Sequence, residues 1–311
     1  MIYTITLNPA LDRELTVNQI ELNCVLRAQS TQIDYGGKGF NVSRALLALG
    51  IESTALGFIG GAVGVQLSAG LSAMGIHTDF VTIQGETRTN LSVVDVDHHS
   101  YLKVNEPGPW VSEADTTTLL TKISTLARHG DWWILAGSTP PGVQPSLVAE
   151  IVHHIQSVGA HAVVDMEGAC LQKACCAGAY LVKPNAFEAA GLTKTDVTSI
   201  HSAARSLGPI HQLGAQRVVI SLGKAGAVYS DDRHTWWAIP PAIEEHNPIG
   251  AGDAMLAGLI KGIIQRLPGD EILRLGVACG AAAASLDGTA VGSFSLVEAH
   301  LKDVQMGEYL S

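Results

Sequence analysis

The chain has 311 residues, 47% hydrophobic and 15% charged, which excludes a disordered or low-complexity segment and supplies apolar side chains for a large core. Its 19 basic and 29 acidic residues leave a net charge of −10, so nucleic acid is disfavoured as a partner and any phosphorylated ligand has to be held by a few local positive groups. Five cysteines with no CxxC spacing argue against a disulfide framework and a thiolate zinc site; no apolar run reaches the length of a membrane span, and a cytoplasmic protein without membrane contact is expected.

Short β-like runs alternate with longer helical patterns, which predicts an α/β fold with helices on both faces of a mostly parallel sheet, read as a single domain over 1–311. Strands are expected at 2–7, 54–59, 132–136, 162–165, 180–182 and 217–221. After the cluster Gly36, Gly37, Lys38, Gly39, the apolar residues Val42, Ala45, Leu46 and Leu49 recur at helical spacing and predict a helix ending near Gly50. Two helices rich in small residues are expected at 252–265 and 270–286. Residues 14–34 and 90–104 break the rhythm with polar, alternating strand character, and Asp97, His98, His99 and Ser100 form a plausible turn. They predict a small separate sheet, inserted from about 12–35 and 88–106.

The segment Asn247, Pro248, Ile249, Gly250, Ala251, Gly252, Asp253 runs directly into an apolar helix. A glycine-flanked helix start presents free backbone N–H groups and a partial positive charge, the makings of an anion hole. Asp253 in its first turn reads either as a capping carboxylate or as a chemical group; the glycines favour the second, because a cap does not require them. The cluster at Gly36–Gly39 matches neither GxxxxGK[ST] nor GxGxxG, and Lys38 and Asn41 beside it supply charge and hydrogen bonds or, alternatively, belong to a solvated loop. At 181–188, Lys183, Asn185 and Glu188 follow a strand end, where open α/β sheets bind ligands; Asn185 and Glu188 also have the spacing of a capping box. Ser221, Gly223 and Gly226 repeat the strand-end arrangement. The adjacent pairs His98–His99 and His153–His154 diverge too much to share a metal, and residues 57–64 do not fit the dinucleotide fingerprint.

Taken in order, these motifs resemble those of the ribokinase-like, PfkB-type carbohydrate kinases over essentially the whole chain. The resemblance rests on Gly36-Gly37-Lys38-Gly39-Phe40-Asn41, on Gly250-Ala251-Gly252-Asp253 and on the KPNxxE element between them. Residues 6–12, 85–90 and 104–109 look most like the phosphosugar kinases, 1-phosphofructokinase in particular. The resemblance implies a three-layer fold with a small β-sheet lid and ATP-dependent phosphorylation of a ketohexose monophosphate, fructose 1-phosphate to fructose 1,6-bisphosphate first among the options. Asp253 would take the proton of the attacking hydroxyl, with the amides of Gly250, Ala251 and Gly252 steadying the phosphoryl group. Asp12, Arg27, Gly37, Lys38, Asn41, Arg88 and Ser138 would bind the sugar phosphate. Lys183, Asn185, Ser221, Gly223 and Gly226 would bind the nucleotide, and Glu188 with Asn185 would hold Mg²⁺ through water. ATP and Mg²⁺ are the implied cofactors, K⁺ a further candidate, and a homodimer formed through the lid the implied assembly. The sequence departs from its relatives at Thr139, at Met166-Glu167 and at Asn247-Pro248-Ile249. Tagatose-6-phosphate or fructose-6-phosphate kinase is the alternative within the class; an inactive sugar- or nucleotide-binding regulator is the alternative outside it.

Overall fold

The protein is described by a computed structural model covering residues 1–98, 100–286 and 292–310. In chain order it comprises β1 (Ile2–Thr6), β2 (Ala10–Val17), β3 (Ser30–Gly36), α1 (Lys38–Ala48), β4 (Thr54–Ile59), α2 (Gly61–Ala73), the short β5 (His77–Thr78) and β6 (Val81–Thr82), β7 (Arg88–Asp95), β8 (Ser100–Val104), α3 (Glu113–Leu126), β9 (Trp132–Ala136), α4 (Ser146–Ser157), β10 (His161–Asp165), α5 (Gly168–Cys176), β11 (Leu181–Val182), α6 (Ala186–Thr193), α7 (Ile200–Gln212), β12 (Val218–Ser221), β13 (Ala227–Ser230), β14 (Thr235–Ile239), α8 (Ala251–Ile264), α9 (Gly269–Ala284), α10 (Phe294–Leu301) and β15 (Gln305–Glu308).

The main sheet has the order β15-β14-β13-β12-β11-β10-β9-β1-β4-β5, with β6 also on β4. Pairing is parallel from β12 through β5 and antiparallel along β12-β13-β14-β15. Both faces are covered because strand side chains alternate. Trp133 and Leu135 of β9 enter one core with α3, α4, α5 and α7, while Ile134 and Ala136 enter the other with α1, α8 and α9. Four strands form a second sheet, β3-β2-β7-β8, in which β2 and β7 run parallel.

The strands expected at 54–59 and 132–136 coincide with β4 and β9, and the other four expected strands differ by one residue at one end. The helices expected at 252–265 and 270–286 are α8 and α9, shifted by one or two residues. The stretch read as strand over 14–34 is different: β2 begins at Ala10, and residues 18–29 connect β2 to β3 without being strand. His99, in the expected turn, lies outside the described residues. The antiparallel extension β13-β14-β15 was not anticipated, because short runs interrupted by turns look alike whether they pair parallel or antiparallel. Among the described residues, no helix is long and apolar enough to cross a membrane.

Candidate active site

Helix α8 starts at a left-handed Gly250, φ 84°, and no side chain caps it. Asp253 is therefore not the capping group. It is only 5% exposed, and its Oδ2 accepts a 2.7 Å hydrogen bond from Asn41 Nδ2 on α1. The amide of Asn41 is oriented in turn by Arg44, whose guanidinium donates to Asn41 Oδ1 and forms a 2.6 Å ion pair with Asp34 of β3. Burial, reinforced by the negative charge of Asp165, pushes the Asp253 carboxyl up to about 6, against the opposing pull of Asn41, Lys183 and Lys38. Such a carboxyl is a base suited to neutral pH. The glycines around it have an open face: a Cβ on Gly250 would touch nothing, and one on Gly252 would meet only Lys183 Nζ, at 3.5 Å. The amide of Ala251 donates to Pro248 O at 3.2 Å, closing the turn that sets the left-handed Gly250.

Asp165 ends β10 and is 2% exposed. Its carboxylate meets two ammonium groups, Lys183 Nζ at 2.9 Å and Lys38 Nζ at 3.4 Å. Burial alone would raise the Asp165 pKa, but the two lysines overcome it and hold the carboxyl below its ordinary value. Lys38 is shifted upward: burial opposes its charge, and Asp165, Asp253 and Glu188 together outweigh burial.

Asn185 and Glu188 form a complete capping box at the start of α6, with Glu188 N to Asn185 Oδ1 at 2.9 Å and Asn185 N to Glu188 Oε2 at 2.8 Å. The structural reading of this pair thus holds, and it leaves Glu188 Oε1 outside the cap. Asn185 also bridges to Ser221 at the end of β12. Beside them opens a cleft of about 1090 Å³, lined on its polar side by Asn185, Ser221, Gly223, Gly226 and Gly252 and closed by apolar groups such as Met255 and Val277. This is the size and lining of a small-molecule site. Gly226, φ 105°, has no room for a side chain, since a Cβ would lie 2.1 Å from Ala238 O.

On the other side of α1, the small sheet brings Asp12, Asn90 and Arg88 together. Asn90 Nδ2 donates to Asp12 Oδ1 at 2.7 Å, and burial raises the Asp12 pKa despite that bond. Arg88 donates to Asn8 O at 2.9 Å and Glu106 O at 3.0 Å, while its buried Nε has no partner among the described residues. Gly36 is glycine because the Asp12 carboxylate fills the space of a side chain, 2.1 Å from a would-be Cβ. Gly37 and Gly39 press on Thr6 in the same way, so the cluster's lack of side chains serves packing against β1 as well as any ligand. Ser138 is exposed just after β9, beyond Gly137, which sits over Lys38. Burial pushes the Cys170 thiol up, opposed by the neighbouring Thr139 and reinforced by the charge of the exposed Glu167.

Arg27 is not brought to this group. It is exposed in the 18–29 loop, and the register Asp12↔Asp34, Thr16↔Ser30 places that loop at the opposite end of the hairpin from Asp12. Two residues escaped the sequence reading. Asn90 is one polar position in an alternating strand, and Asp165 is one acid at a strand end; the second had a usable signal, a carboxylate at the carboxyl edge of a parallel sheet. Among the described residues, no group of three or more His, Cys, Asp or Glu is arranged to hold a metal.

The family model for pfkB family carbohydrate kinases matches residues 6–294. A 1-phosphofructokinase of Bacillus subtilis is 33% identical over 91% of this chain and 92% of its own. The ATP-dependent 6-phosphofructokinase isozyme 2 of Escherichia coli is 32% identical over 93% and 94%. A crystal structure of phosphofructokinase-2 from Escherichia coli in complex with potassium superposes with a TM-score of 0.92 at 30% identity, covering 97% of this chain and 98% of that one. The ribokinase-like fold expected from the motifs is the fold observed, and the chain belongs to the pfkB family of carbohydrate kinases.

Proposed function

We propose that this protein transfers the terminal phosphoryl group of ATP to the 6-hydroxyl of fructose 1-phosphate, giving fructose 1,6-bisphosphate. The observation that carries this reading is Asp253: a buried base at the foot of an open glycine turn, with a nucleotide-sized cleft on one side and the Asp12–Asn90–Arg88 group on the other. The relatives named 1-phosphofructokinase favour the acceptor. Asp12, Asn90 and Asn41 hold the sugar hydroxyls, and Arg88, Lys38 and Ser138 hold the existing phosphate. Asp253 removes the proton as the hydroxyl oxygen attacks, and the amides of Gly250 and Gly252 with Lys183 stabilise charge on the transferred group. Phosphoryl transfer asks mainly for this kind of positioning and electrostatics.

The cleft would take ATP, with Lys183 and Gly252 holding its phosphates and Gly223 and Gly226 lining the place of its base. The donor set beside it is all oxygen, Glu188 Oε1 and Asn185 Oδ1, and fits a Mg²⁺ that keeps most of its waters; the ion would neutralise phosphate charge. For K⁺, support comes from the potassium complex of the Escherichia coli relative. A homodimer is favoured by the outer face of the small sheet, where Leu15, Val93 and Leu102 lie in register, as do Leu91 and Val104, with Leu102 55% and Val104 54% exposed. Arg27, on the loop beyond this face, reaches a sugar phosphate only if pairing of the sheets carries it to the partner's site. Five unpaired cysteines support a reducing, cytoplasmic setting.

The Escherichia coli isozyme 2 relative keeps a second acceptor, fructose 6-phosphate, in play. An inactive regulator is disfavoured by the intact Asp253, Lys183 and glycine turn. A coupled ADP-release assay across fructose 1-phosphate, fructose 6-phosphate, tagatose 6-phosphate and the free sugars decides: fructose 1-phosphate is expected to give the highest kcat/KM. Turnover of free sugars alone overturns the assignment.

A further inference from the structure

We infer that Asp165 is a positioning residue of this site: from the end of β10 it anchors the ammonium groups of both Lys38 and Lys183 beside Asp253, joining the acceptor and nucleotide sides of the reaction centre through one carboxylate. The inference rests on the kinase reading above and assigns Asp165 a part that neither the motifs nor the capping analysis suggested.

Lys38 and Lys183 come from different elements, the first turn of α1 and the turn after β11. Each has a long, flexible stem, and two ammonium groups repel. Both nevertheless converge on one carboxylate, at 3.4 Å and 2.9 Å. Asp165 is 2% exposed and Lys183 4%. Burying Asp165 and Lys183 is a poor way to stabilise a fold, since the desolvation of the two ions offsets their attraction and an apolar replacement is commonly no worse. The arrangement makes sense as chemistry. Lys183 lies against the open face of Gly252, where a transferred phosphoryl group would sit, and Lys38 lies under Gly137, next to Ser138. Fixing both cations before substrates arrive removes the cost of ordering them during the reaction.

Asp165 also acts on the base. The groups facing Asp253 are Asn41 and Lys38 from α1, Lys183 from the turn after β11 and Asp165 from β10; of these, Asp165 disfavours the ionised base and the other three favour it. Neutralising Asp165 therefore removes a repulsive charge and unmasks two attractive ones, and both changes move Asp253 in the same direction, toward a lower pKa.

The test is the isosteric Asp165→Asn. Its kcat is expected to fall about a hundredfold, and the acid limb of its kcat/KM profile to move roughly one pH unit lower. Lys38→Met, which removes a cation, is expected to move the limb the opposite way. The same shifts are read without turnover by carbon-13 NMR of the labelled carboxyl of Asp253 in wild type and variants. An Asp253 titration unchanged by Asp165→Asn overturns the inference even if the enzyme is a kinase. Absence of kinase activity in the wild type overturns the functional reading and leaves the NMR result interpretable. Thermal melts show whether Asp165→Asn is folded; should it not be, Asp165→Glu, which keeps the charge, is expected to retain the wild-type acid limb, and a displaced limb there counts against the inference.

Discussion

Asn41 and Asp253 are 212 positions apart and share a 2.7 Å hydrogen bond, so the first helix of the chain and the first turn of α8 meet at the carboxylate proposed as the base. Asp253→Asn keeps this bond, because an amide oxygen also accepts, and removes the base. Its kcat/KM is expected to fall about 10³-fold with ATP affinity unchanged by isothermal titration. A loss of ATP binding of the same size would place Asp253 in the nucleotide site instead.

The pH dependence follows from a carboxyl pushed up to about 6. The base works ionised, so kcat/KM is expected to be flat above this value and to fall about tenfold per pH unit below it. Stability runs the other way. The folded chain binds the Asp253 proton more tightly than the unfolded chain, whose value is near 3.8, so the contribution of this group is present below 3.8 and is lost as pH rises through about 6. Asp253→Asn is accordingly expected to melt several degrees above wild type at pH 8 and level with it at pH 4, as followed by circular dichroism.

Arg88 serves two ends, bonding the carbonyls of Asn8 and Glu106 and leaving its Nε uncommitted. Arg88→Ala is expected to raise the sugar-phosphate KM at least tenfold, since a charge-assisted contact contributes about 1.5–3 kcal/mol, and to lower the melting temperature. The KM for ATP stays as it was; an effect on ATP alone would remove Arg88 from the acceptor site.

Two glycines separate packing from chemistry. A methyl group on Gly39 would lie 2.5 Å from Thr6 Oγ1 and 3.1 Å from Ile5 O, so Gly39→Ala is expected to cost about 1–3 kcal/mol in denaturant unfolding. On Gly252 the nearest atom is Lys183 Nζ at 3.5 Å. Gly252→Ala should leave stability equal or slightly higher, as Ala favours a helix, while kcat drops because the methyl group occupies the face offered to the phosphoryl group.

The proposed dimer has its own probe. Leu102→Glu places a charge on the edge strand β8 of the small sheet, opposite Val93 and in register with Leu15. Light scattering is expected to report a dimer for wild type and a monomer for the variant.

The parts legible in sequence were those whose physics is local. Strand β9 reads from its own alternation, α1 from the spacing of Val42, Ala45, Leu46 and Leu49, and the uncapped start of α8 from its glycines. Asp165 was legible only as a strand-end acid, because its partners are two lysines 127 and 18 positions away, and such an acid looks the same with or without them. Gly37 and Gly39 suggested a ligand, yet the atoms that crowd them belong to β1. Arg27 illustrates a different gap: a motif match says what a residue type is suited to, and strand register decides where it is.

Gly37 is the single residue between the end of β3 and the first residue of α1, and Asp34, Arg44, Asn41 and Asp253 form an unbroken chain of polar contacts from that strand to the base. The small sheet and the Asp253 carboxylate are consequently joined through side-chain contacts. A tilt of β3 either ruptures the Asp34–Arg44 pair or turns the carboxamide of Asn41. By thermodynamic reciprocity, whatever a tilt of the sheet does to the proton on Asp253, that proton returns to the sheet as the same free energy.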